Sequence, residues 1–550
     1  MSGLLPILIL LPLVGGIALL LFSRRGSESG SGGFWAISVA LIALAISVVL
    51  TGVVSQEATA AKLPAAEGVA YATINPLVKY QPQWGSIEGP SGVSLQFALG
   101  LDGLGAMMAL LTTSVVLMVL LFASRTVKQN FTSYAAWTLL AEAGLLTVFL
   151  SMDMVLFYVG FELALVPLLV LISVWGSGDS QRAAKRFVVF TLAGSVPMVL
   201  ALIGIVWHYP VGGVTTLFEE LSRRAATNLP AETLASQSWI FGLLVLGLGI
   251  KMAILPLHTW LPTTYSASHP TTTALLAAVV LKLGLFGFMR IALPLVPVAC
   301  LEYGPLLLGF AGAFAIVYGA LAALAQSDLR LLLAYSSLSH VGFITLGMFA
   351  LNEEGIAGAS LQMVNHGITT AAMFLLVGCL IERRGSSNIT KAGGGLASLY
   401  PRLAVLLLFF VFAGAGMPGL NNFVGEVMAL IAMMARHPTL TVISALGVLL
   451  GAWYSLRMAK DLLFGQLVKQ KGDSDGANDL QTMEWAPLTA LAIISLAIGC
   501  YPQPAIDLVK QDASRLAGIY SSLDGMAKTN STAMVTPEAS TPKLAIEEGR

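Results

Sequence analysis

VLFYVGFELALVPLLVL, residues 155–171, is an apolar run that contains a single carboxylate, Glu162. A helix of about 20 apolar residues crosses a bilayer, so the run predicts a membrane span with Glu162 near its middle. A charge at that depth is costly unless it faces protein or water, and such residues are usually functional. The sequence therefore predicts a membrane protein in which Glu162 faces the bundle interior and has a function.

The composition of the whole chain agrees with this prediction. Of 550 residues, 56% are hydrophobic and 11% are charged, with a mean hydropathy of +0.83, whereas soluble domains carry about 25% charged residues. Lys plus Arg and Asp plus Glu both number 29, so net charge gives no indication of nucleic acid binding. Cys300, Cys379 and Cys500 form no CxxC pair, which argues against an iron–sulfur, zinc or disulfide site in this chain.

Apolar runs of this length recur along the sequence, and we predict an all-α polytopic membrane protein with about 14 transmembrane helices. The runs lie near residues 4–22, 34–54, 103–123, 131–151, 153–175, 187–207, 239–259, 271–291, 305–325, 331–351, 357–381, 403–434, 438–460 and 485–502. The first run lacks a basic preceding segment, so we expect it to be retained as a span and not cleaved as a signal peptide.

The loops between the runs alternate in charge. One set is basic and contains Arg24, Arg25, Arg125, Lys128, Arg182, Lys185, Arg186, Arg330, Arg383, Arg384, Lys391, Arg402, Lys469 and Lys471. The other set contains Glu57, Glu67, Glu88, Glu353 and Glu354, with Arg223, Arg224 and Arg436 as exceptions. The positive-inside rule makes the basic loops cytoplasmic, and an even number of spans then places both termini on the lumenal or periplasmic side.

The spacing of polar residues predicts an internal repeat. Glu162 and Lys251 are 89 residues apart, and His340 and Glu426 are 86 apart. Two five-span blocks of similar fold must run in opposite senses, which is the inverted-repeat plan of many transporters. The predicted domains are residues 1–102 (two helices and a polar outer loop), 103–300 (helix 3 and a first repeat of helices 4–8), 301–465 (a second repeat of helices 9–13), 466–502 (a loop and helix 14) and 503–550 (a polar tail).

Segments between and after the spans are polar. Residues 211–230 predict a short amphipathic helix at the membrane surface, and the Ser-, Thr- and Pro-rich stretch TNSTAMVTPEASTPK, residues 529–543, predicts disorder or ordering against a partner.

Eight titratable residues within the predicted spans are candidates for proton transfer: Glu142, Glu162, Lys251, His258, Lys282, His340, His366 and Glu426. Any one of them could simply pair with a neighbour and fix two helices together. A series of Glu, Lys and His across a bundle interior is, however, typical of a proton relay. A buried Lys can release its proton near neutral pH, which Arg cannot do. His titrates in the same range, although a buried His can equally be neutral and bonded to a carbonyl.

Two of these residues lie beside predicted helix breaks. Pro256 follows Lys251, and Pro418 and Gly419 precede Glu426. Proline removes a backbone hydrogen bond, and a freed carbonyl at membrane depth must face protein or water. We therefore predict that helices 7 and 12 are broken beside hydrated pockets. His258 and His269 lack carboxylate or Cys partners nearby in sequence, so we expect no metal site.

Several stretches, taken in order, resemble a known family. They are LDGLGAMMALLT, SMDMVLFYVGFELALVPLLVLISVWG, IKMAILPLHTWLP, LKLGLFGFMR, SDLRLLLAYSSLSHVGF, NHGITTAAMF and MPGLNNFVGE, within residues 95–465. Together they resemble the membrane-arm antiporter-like subunits of respiratory complex I and its photosynthetic relatives. Glu426 favours the subunit 4 type, because the subunit 2, subunit 5 and antiporter relatives typically carry Lys at that position.

The resemblance implies roles for individual residues. Glu162 and Lys251 would form a coupling pair, Lys282 the central relay, His340 and His366 its continuation, and Glu426 the terminal group. Glu142 resembles a second family carboxylate that would link to a neighbouring subunit. His258 is a further candidate for proton transfer.

The resemblance also implies a setting for the chain. It would be a proton-translocating subunit, without redox chemistry of its own, of an NAD(P)H- or ferredoxin-quinone oxidoreductase in a bacterial inner membrane or a thylakoid. It would carry no cofactor, while partner subunits would hold iron–sulfur clusters and quinone. The stretch TTYSASHP departs from the family, which would suit a photosynthetic, plastoquinone-reducing paralogue, including one specialised for CO2 uptake. The alternatives are a subunit of a multi-subunit Na⁺/H⁺ antiporter and a purely structural membrane subunit.

Overall fold

The computed structural model describes residues 1–23, 31–60, 74–82, 86–88, 93–209, 213–228, 234–467 and 479–535. Within these residues, thirteen helical segments are long and apolar enough to cross a membrane. Of the charged residues used above to assign the loops, Arg24, Arg25, Glu67, Lys469 and Lys471 lie outside the described residues. The predicted all-α, multi-span architecture is confirmed.

The first six helices are continuous. Their bounds are α1 Leu4–Ser23, α2 Ser31–Ala60, α3 Gly103–Thr126, α4 Phe131–Leu150, α5 Met154–Trp175 and α6 Ser180–His208. Helix α4 packs closely against both α1 and α5. Gly144 permits the α4–α5 approach, because a Cβ there would lie 2.6 Å from the backbone nitrogen of Ala164.

The seventh predicted span is broken, as expected. After the short helix α7, Phe218–Asn228, helix α8, Leu234–Lys251, ends at Lys251, and α9, Trp260–Ala267, resumes the span. The span that follows, α10, Pro270–Leu295, contains π-helical turns at Leu276–Val280 and Phe288–Ala292. The predicted amphipathic helix within residues 211–230 corresponds to α7.

The second half of the chain also consists of long helices with one broken span. Its helices are α11 Pro297–Leu324, α12 Leu329–Met348, α13 Glu353–Arg384, α14 Ile389–Ala392, α15 Leu396–Leu399, α16 Pro401–Gly414, α17 Asn421–Arg436, α18 Pro438–Leu463 and α19 Thr482–Cys500. Helices α16 and α17 together occupy the predicted span 403–434, so the predicted break at Pro418 and Gly419 is observed. With this pair counted as one span, the thirteen long segments become the fourteen expected.

Side-chain caps begin several spans. Asp102 accepts from Gly105, and Asp153 accepts from Val155 and Leu156. Asp328 caps α12 in the same way. Such caps satisfy backbone N–H groups that have no partner within the helix, so the polar residues between the apolar runs determine where these spans begin.

In its described residues, the polar outer loop predicted within residues 1–102 contains four short strands: β1 Val78–Tyr80, β2 Ser86–Glu88, β3 Val93–Gln96 and β4 Leu99–Leu101. β1 pairs antiparallel with β4, and β3 pairs antiparallel with β2 and parallel with β5, Val214–Thr215. We call the face that carries these strands, Asp102, Asp153 and α7 the acidic face. The opposite face, at the far ends of α3 and α5, carries Lys128, His269 and Arg330 and is called the basic face.

The segment predicted as a polar tail contains one more helix, α20, Gln503–Val535, on the acidic face. It packs against α13, α3 and α2, and the Tyr520 hydroxyl donates to the carbonyl of Leu293 at 2.9 Å. The helix extends into the stretch that predicted disorder, residues 529–543, of which residues 536–543 lie outside the described part. Apolar residues at helical spacing, including Leu508, Leu516 and Ile519, are buried, a pattern that the polar composition of the segment obscured.

Candidate functional site

The break after α8 places Lys251 as the last residue of a helix. Residues 252–259 are not α-helical, the Leu255–Pro256 bond is cis, and Ala253 has a φ of 56°. The indole of Trp260 donates to the carbonyl of Ile250 at 2.9 Å, which satisfies a carbonyl freed by the break. The C-terminal end of a helix carries partial negative charge, so this position favours the Lys251 ammonium.

Lys251 pairs with Glu162 on α5. Their Nζ and Oε1 atoms are 3.6 Å apart, and the Lys251 ammonium also lies 3.9 Å from the centre of the Phe161 ring. Ser195 on α6 donates to the same Glu162 oxygen. Only 6% of the Lys251 side chain is exposed, compared with 27% for Glu162. Glu162 therefore lies at the edge of the bundle and not deep in its interior as the sequence suggested.

A second group of residues meets at the centre of the molecule. Lys282 on α10 is fully buried; its Nζ donates to the carbonyl of Ala277 at 2.6 Å and lies 2.7 Å from Nδ1 of His366. Ala277 belongs to a π-helical turn, where the backbone departs from the regular α-helical pattern. Such turns are frequent at functional sites.

The group continues from His366 to the second helix break. The rings of His366 and His340 are 5.3 Å apart, and Nδ1 of His340 lies 2.9 Å from Oε1 of Glu426, outside hydrogen-bond geometry. Gln362 donates to the same oxygen at 3.3 Å. Lys282, His366, His340 and Glu426 thus form one row of titratable groups, which we call the central row.

The break before α17 shapes the end of the central row. Gly416 has a φ of 70°, and a Cβ there would lie 2.8 Å from Oε2 of Glu426. Asn421, the first residue of α17, exchanges side-chain-to-carbonyl hydrogen bonds with Asn365 at 2.7 and 3.0 Å. Ser495 donates to its Oδ1 at 2.7 Å. Asn421 therefore fixes where the helix restarts relative to α13 and α19, five residues before Glu426.

Several buried polar atoms near this break have no hydrogen-bond partner among the described residues. They are the side-chain oxygens of Gln362 and Asn365, both polar atoms of Asn422, and Nε2 of His366. Buried polar atoms are normally satisfied by protein or by ordered water. Their concentration around α17 agrees with the hydrated pocket predicted there.

The ion pair and the central row are separate groups that approach each other where α8 packs on α10. No hydrogen bond or ion pair joins Lys251 to Lys282 among the described residues. Gly284 allows the helices to come close, because a Cβ there would lie 2.5 Å from the carbonyl of Leu248. A cavity of about 20 Å³ lies between Lys251 and residues Val280 and Leu283 on α10, which is room for about one water molecule.

Two predicted site residues lie apart from these groups. Glu142 on α4 is completely buried, and neither of its oxygens has a partner among the described residues. His258, in the break after α8, packs edge-on against Tyr318 at 5.5 Å between ring centres. His269 instead pairs with Thr271 at 2.7 Å. Within the described residues, no three His, Cys, Asp or Glu side chains are arranged to hold a metal ion.

Sequence reasoning missed three supporting side chains: Phe161, Ser195 and Gln362. Phe161 and Ser195 have no distinctive sequence signal, because aromatic and hydroxyl residues are common in spans. Gln362 had one, since it is a polar residue in an apolar span, four positions before His366 and hence on the same helix face.

The chain has relatives among known proteins. Residues 151–451 match the family described as "NADH:quinone oxidoreductase/Mrp antiporter, TM". The chain is 34% identical over 439 residues to NADH-quinone oxidoreductase subunit M of Rhodobacter capsulatus, covering 78% of this chain and 83% of that protein. It is also similar to a chain of respiratory complex I from Thermus thermophilus with bound NADH, with a TM-score of 0.78, 30% identity, and coverage of 94% of this chain and 99% of the other.

A chain of the Mrp complex from Dietzia sp. DQ12-45-1b has a TM-score of 0.77 over 96% of this chain and 98% of its own length. Its sequence identity is 20%, so this similarity concerns the fold alone.

Proposed function

The chain belongs to the NADH:quinone oxidoreductase/Mrp antiporter family, and on that premise we propose that it is a proton-translocating membrane subunit of a complex I-like quinone oxidoreductase. Its partners are then the other membrane-arm subunits of that assembly. Electron transfer, with its iron–sulfur clusters and quinone, takes place in those partners, and this chain moves protons.

The observation that carries the proposal is the central row. Lys282, His366, His340 and Glu426 come from four different helices, yet each lies beside the next. Each of these side chains can bind and release a proton, and none is Arg. A row of this kind allows a proton to pass between neighbours by small side-chain movements, with ordered water at the unpaired polar atoms.

The Glu162–Lys251 ion pair controls proton movement along the central row. While Glu162 holds Lys251, the ammonium is stabilised in its charged form. Separation of the pair would remove that stabilisation and favour transfer of the Lys251 proton, through the small adjacent cavity, toward Lys282. The partial exposure of Glu162 at the bundle edge suits control by a neighbouring subunit, because a movement there would act directly on the pair. Glu142 and His258 remain candidates for proton transfer outside the two groups.

For the setting, we propose an NADH-dependent assembly, because the named relative is an NADH-quinone oxidoreductase. The basic face then lies on the cytoplasmic side and both termini on the opposite side. The same proton-transfer residues would serve in a different setting. That setting is a thylakoid assembly that takes electrons from NADPH or ferredoxin and reduces plastoquinone, including one specialised for CO2 uptake. The electron donor used by the purified assembly distinguishes these settings.

The test uses the intact assembly reconstituted into vesicles, with proton uptake and electron transfer measured together. We expect Lys282→Met and Glu426→Gln each to lower the number of protons moved per electron by at least about half while the assembly stays intact. Lys185→Met and Glu354→Gln, which alter exposed residues outside both groups, are the matched controls. An unchanged ratio in both central-row variants would contradict the proposal.

The same vesicles test the two alternatives. A Na⁺/H⁺ antiporter subunit would exchange protons for sodium without an electron donor, and the Glu426 variant would change sodium-dependent transport. A purely structural subunit would lose assembly in the Lys282 variant, with no separate effect on proton flux.

A further inference from the structure

A cavity of about 350 Å³ opens on the basic face, apart from the ion pair and the central row. Polar side chains from four separate parts of the chain contribute to its lining: Lys128 after α3, Ser177 after α5, His269 before α10, and Arg330 at the start of α12. Elements far apart in sequence therefore bring their polar groups to one place at the membrane surface.

The cationic side chains of this cavity are those of Lys128 and Arg330, and Asp328 attracts Arg330 electrostatically. No described carboxylate forms an ion pair with Lys128 or Arg330. The Arg330 Nη1 donates to the hydroxyl of Ser177 at 3.2 Å, while its Nε is buried and has no hydrogen-bond partner among the described residues. In the part of the chain that the structure describes, Glu382 is the one carboxylate that lines the cavity, and it is exposed. The cavity therefore offers an anion two cationic side chains that form no ion pair among the described residues, and a guanidinium with one unused donor.

The other wall of the cavity is apolar. Phe122, Leu375 and Ile381 line it, together with Pro270. Trp175 lies at the same site, and its indole donates to the carbonyl of Gln129. Trp is enriched where hydrocarbon meets water. A ligand that fits both walls has an anionic group joined to an apolar body.

We propose that this cavity binds an anionic phospholipid, with its phosphate against Arg330 and Lys128 and its first acyl carbons against Phe122, Leu375 and Ile381. Guanidinium groups form strong, directional bonds to phosphate. Basic pockets between spans on the cytoplasmic side are suited to such headgroups. Inorganic phosphate would use the cationic wall and leave the apolar wall in water, so the lining favours the lipid.

The proposal is tested on the full chain in mild detergent by native mass spectrometry, with phosphatidylglycerol, phosphatidylcholine and inorganic phosphate as separate additives. We expect the unaltered chain to retain one phosphatidylglycerol in preference to phosphatidylcholine. Arg330→Gln and Lys128→Gln should each weaken that binding about tenfold or more. The control Lys185→Gln removes an exposed positive charge from the same face, outside the cavity, and should leave the binding unchanged.

Four outcomes would overturn the proposal. Equal retention of phosphatidylcholine would show that the headgroup charge is not recognised. An equal loss in the Lys185 variant would show diffuse attraction to the whole face. Displacement of the lipid by millimolar inorganic phosphate would identify a site for free anions. If Arg330→Gln prevents folding, the exposed Lys128 still provides the test. In the intact assembly, loss of a neighbouring subunit from the Lys128 variant with lipid binding unchanged would identify a protein contact instead and would also overturn it.

Discussion

At the scale of single residues, three of the candidate proton-transfer side chains lie where the backbone departs from a regular α-helix. Lys251 ends a helix, Lys282 bonds to a π-helical carbonyl, and Glu426 lies against the left-handed Gly416. The sequence identified these three titratable residues, because a charged residue in an apolar run is conspicuous. It did not predict the π-helical turn or Gly416, since neither a widened turn nor a close backbone approach has a distinctive local pattern.

Gly416 provides a prediction at this scale. In Gly416→Ala, the added Cβ would press on the Glu426 carboxylate, and a left-handed conformation costs an L-residue about 1–2 kcal/mol. We expect proton transport to fall several-fold while the assembly still forms, measured as protons moved per electron in vesicles. Gly451→Ala is the control, because a Cβ there meets no atom within 4 Å. Equal transport in the two variants would contradict the assigned role of Gly416.

At the scale of elements, the two broken spans have similar designs but different means of support. The first break is held by a proline, a left-handed alanine and the indole of Trp260. The second is held by two glycines of positive φ and the hydrogen bonds of Asn421. The sequence predicted both breaks because proline and glycine interrupt helices in a known way. It did not predict the supporting bonds, which join residues that are 10 positions apart at the first break and 56 or 74 apart at the second.

Asn421 provides a prediction at the element scale. Asn421→Ala leaves the Asn365 carbonyl and the Ser495 hydroxyl without their partner, so we expect unfolding in detergent to become easier by roughly 2–4 kcal/mol. Asn422→Ala is a neighbouring control whose side chain bonds to no described residue, and it should cost less than about 1 kcal/mol. The free energy of unfolding at increasing denaturant measures both. Equal costs would show that Asn421 does not anchor the helix.

At the scale of the whole molecule, the sequence predicted how many helices span the membrane, which two of them are broken, and the family. The spans follow from the apolar runs, and the family follows from the ordered motifs. The resemblance to the membrane-arm subunits, including the subunit 4 type, is confirmed by the family match and by the subunit M relative. The inverted repeat and the assigned roles of the site residues stay predictions. Helix α20 was missed because its apolar stripe is narrow and its overall composition is polar.

Helix α20 joins the acidic face through a cluster of charges. Arg290 on α10 pairs with Asp102 through both carboxylate oxygens, and Asp512 on α20 accepts from the backbone nitrogen of Leu104 at 3.0 Å. Burial alone would raise the pKa of Asp102, but the charge and hydrogen bonds of Arg290 hold it below its ordinary value. Burial, and to a smaller extent the negative charge of Asp102, raises the pKa of Asp512 to about 7.

The pKa of Asp512 predicts a pH dependence of stability. This carboxyl holds its proton more tightly in the folded chain than in the unfolded one. The stabilisation of the folded state that it provides is therefore fully present below pH 3.8 and is lost as the pH rises through about 7. Asp512→Asn cannot ionise, so its stability relative to the unaltered chain should rise between pH 6 and pH 8, by on the order of 1 kcal/mol. Thermal unfolding at the two pH values measures this change.

The control for that measurement is Asp507→Asn, which alters an exposed carboxylate on the same helix and should have the same effect on stability at both pH values. A relative stability of the Asp512 variant that does not change with pH would show that Asp512 is ionised throughout this range.

The partial exposure of Glu162 has a consequence for the biogenesis of the protein. Around it, α5 presents Val159, Leu163 and Val166 to the surroundings, each more than a third exposed. These residues suit lipid, whereas a carboxylate at the same depth does not. A newly inserted chain that has not yet met its neighbours would therefore carry an unfavourable group on its outer surface. The abundance of the chain in the cell should follow that of its partners, because the unassembled copy is the less stable form and the more readily degraded one.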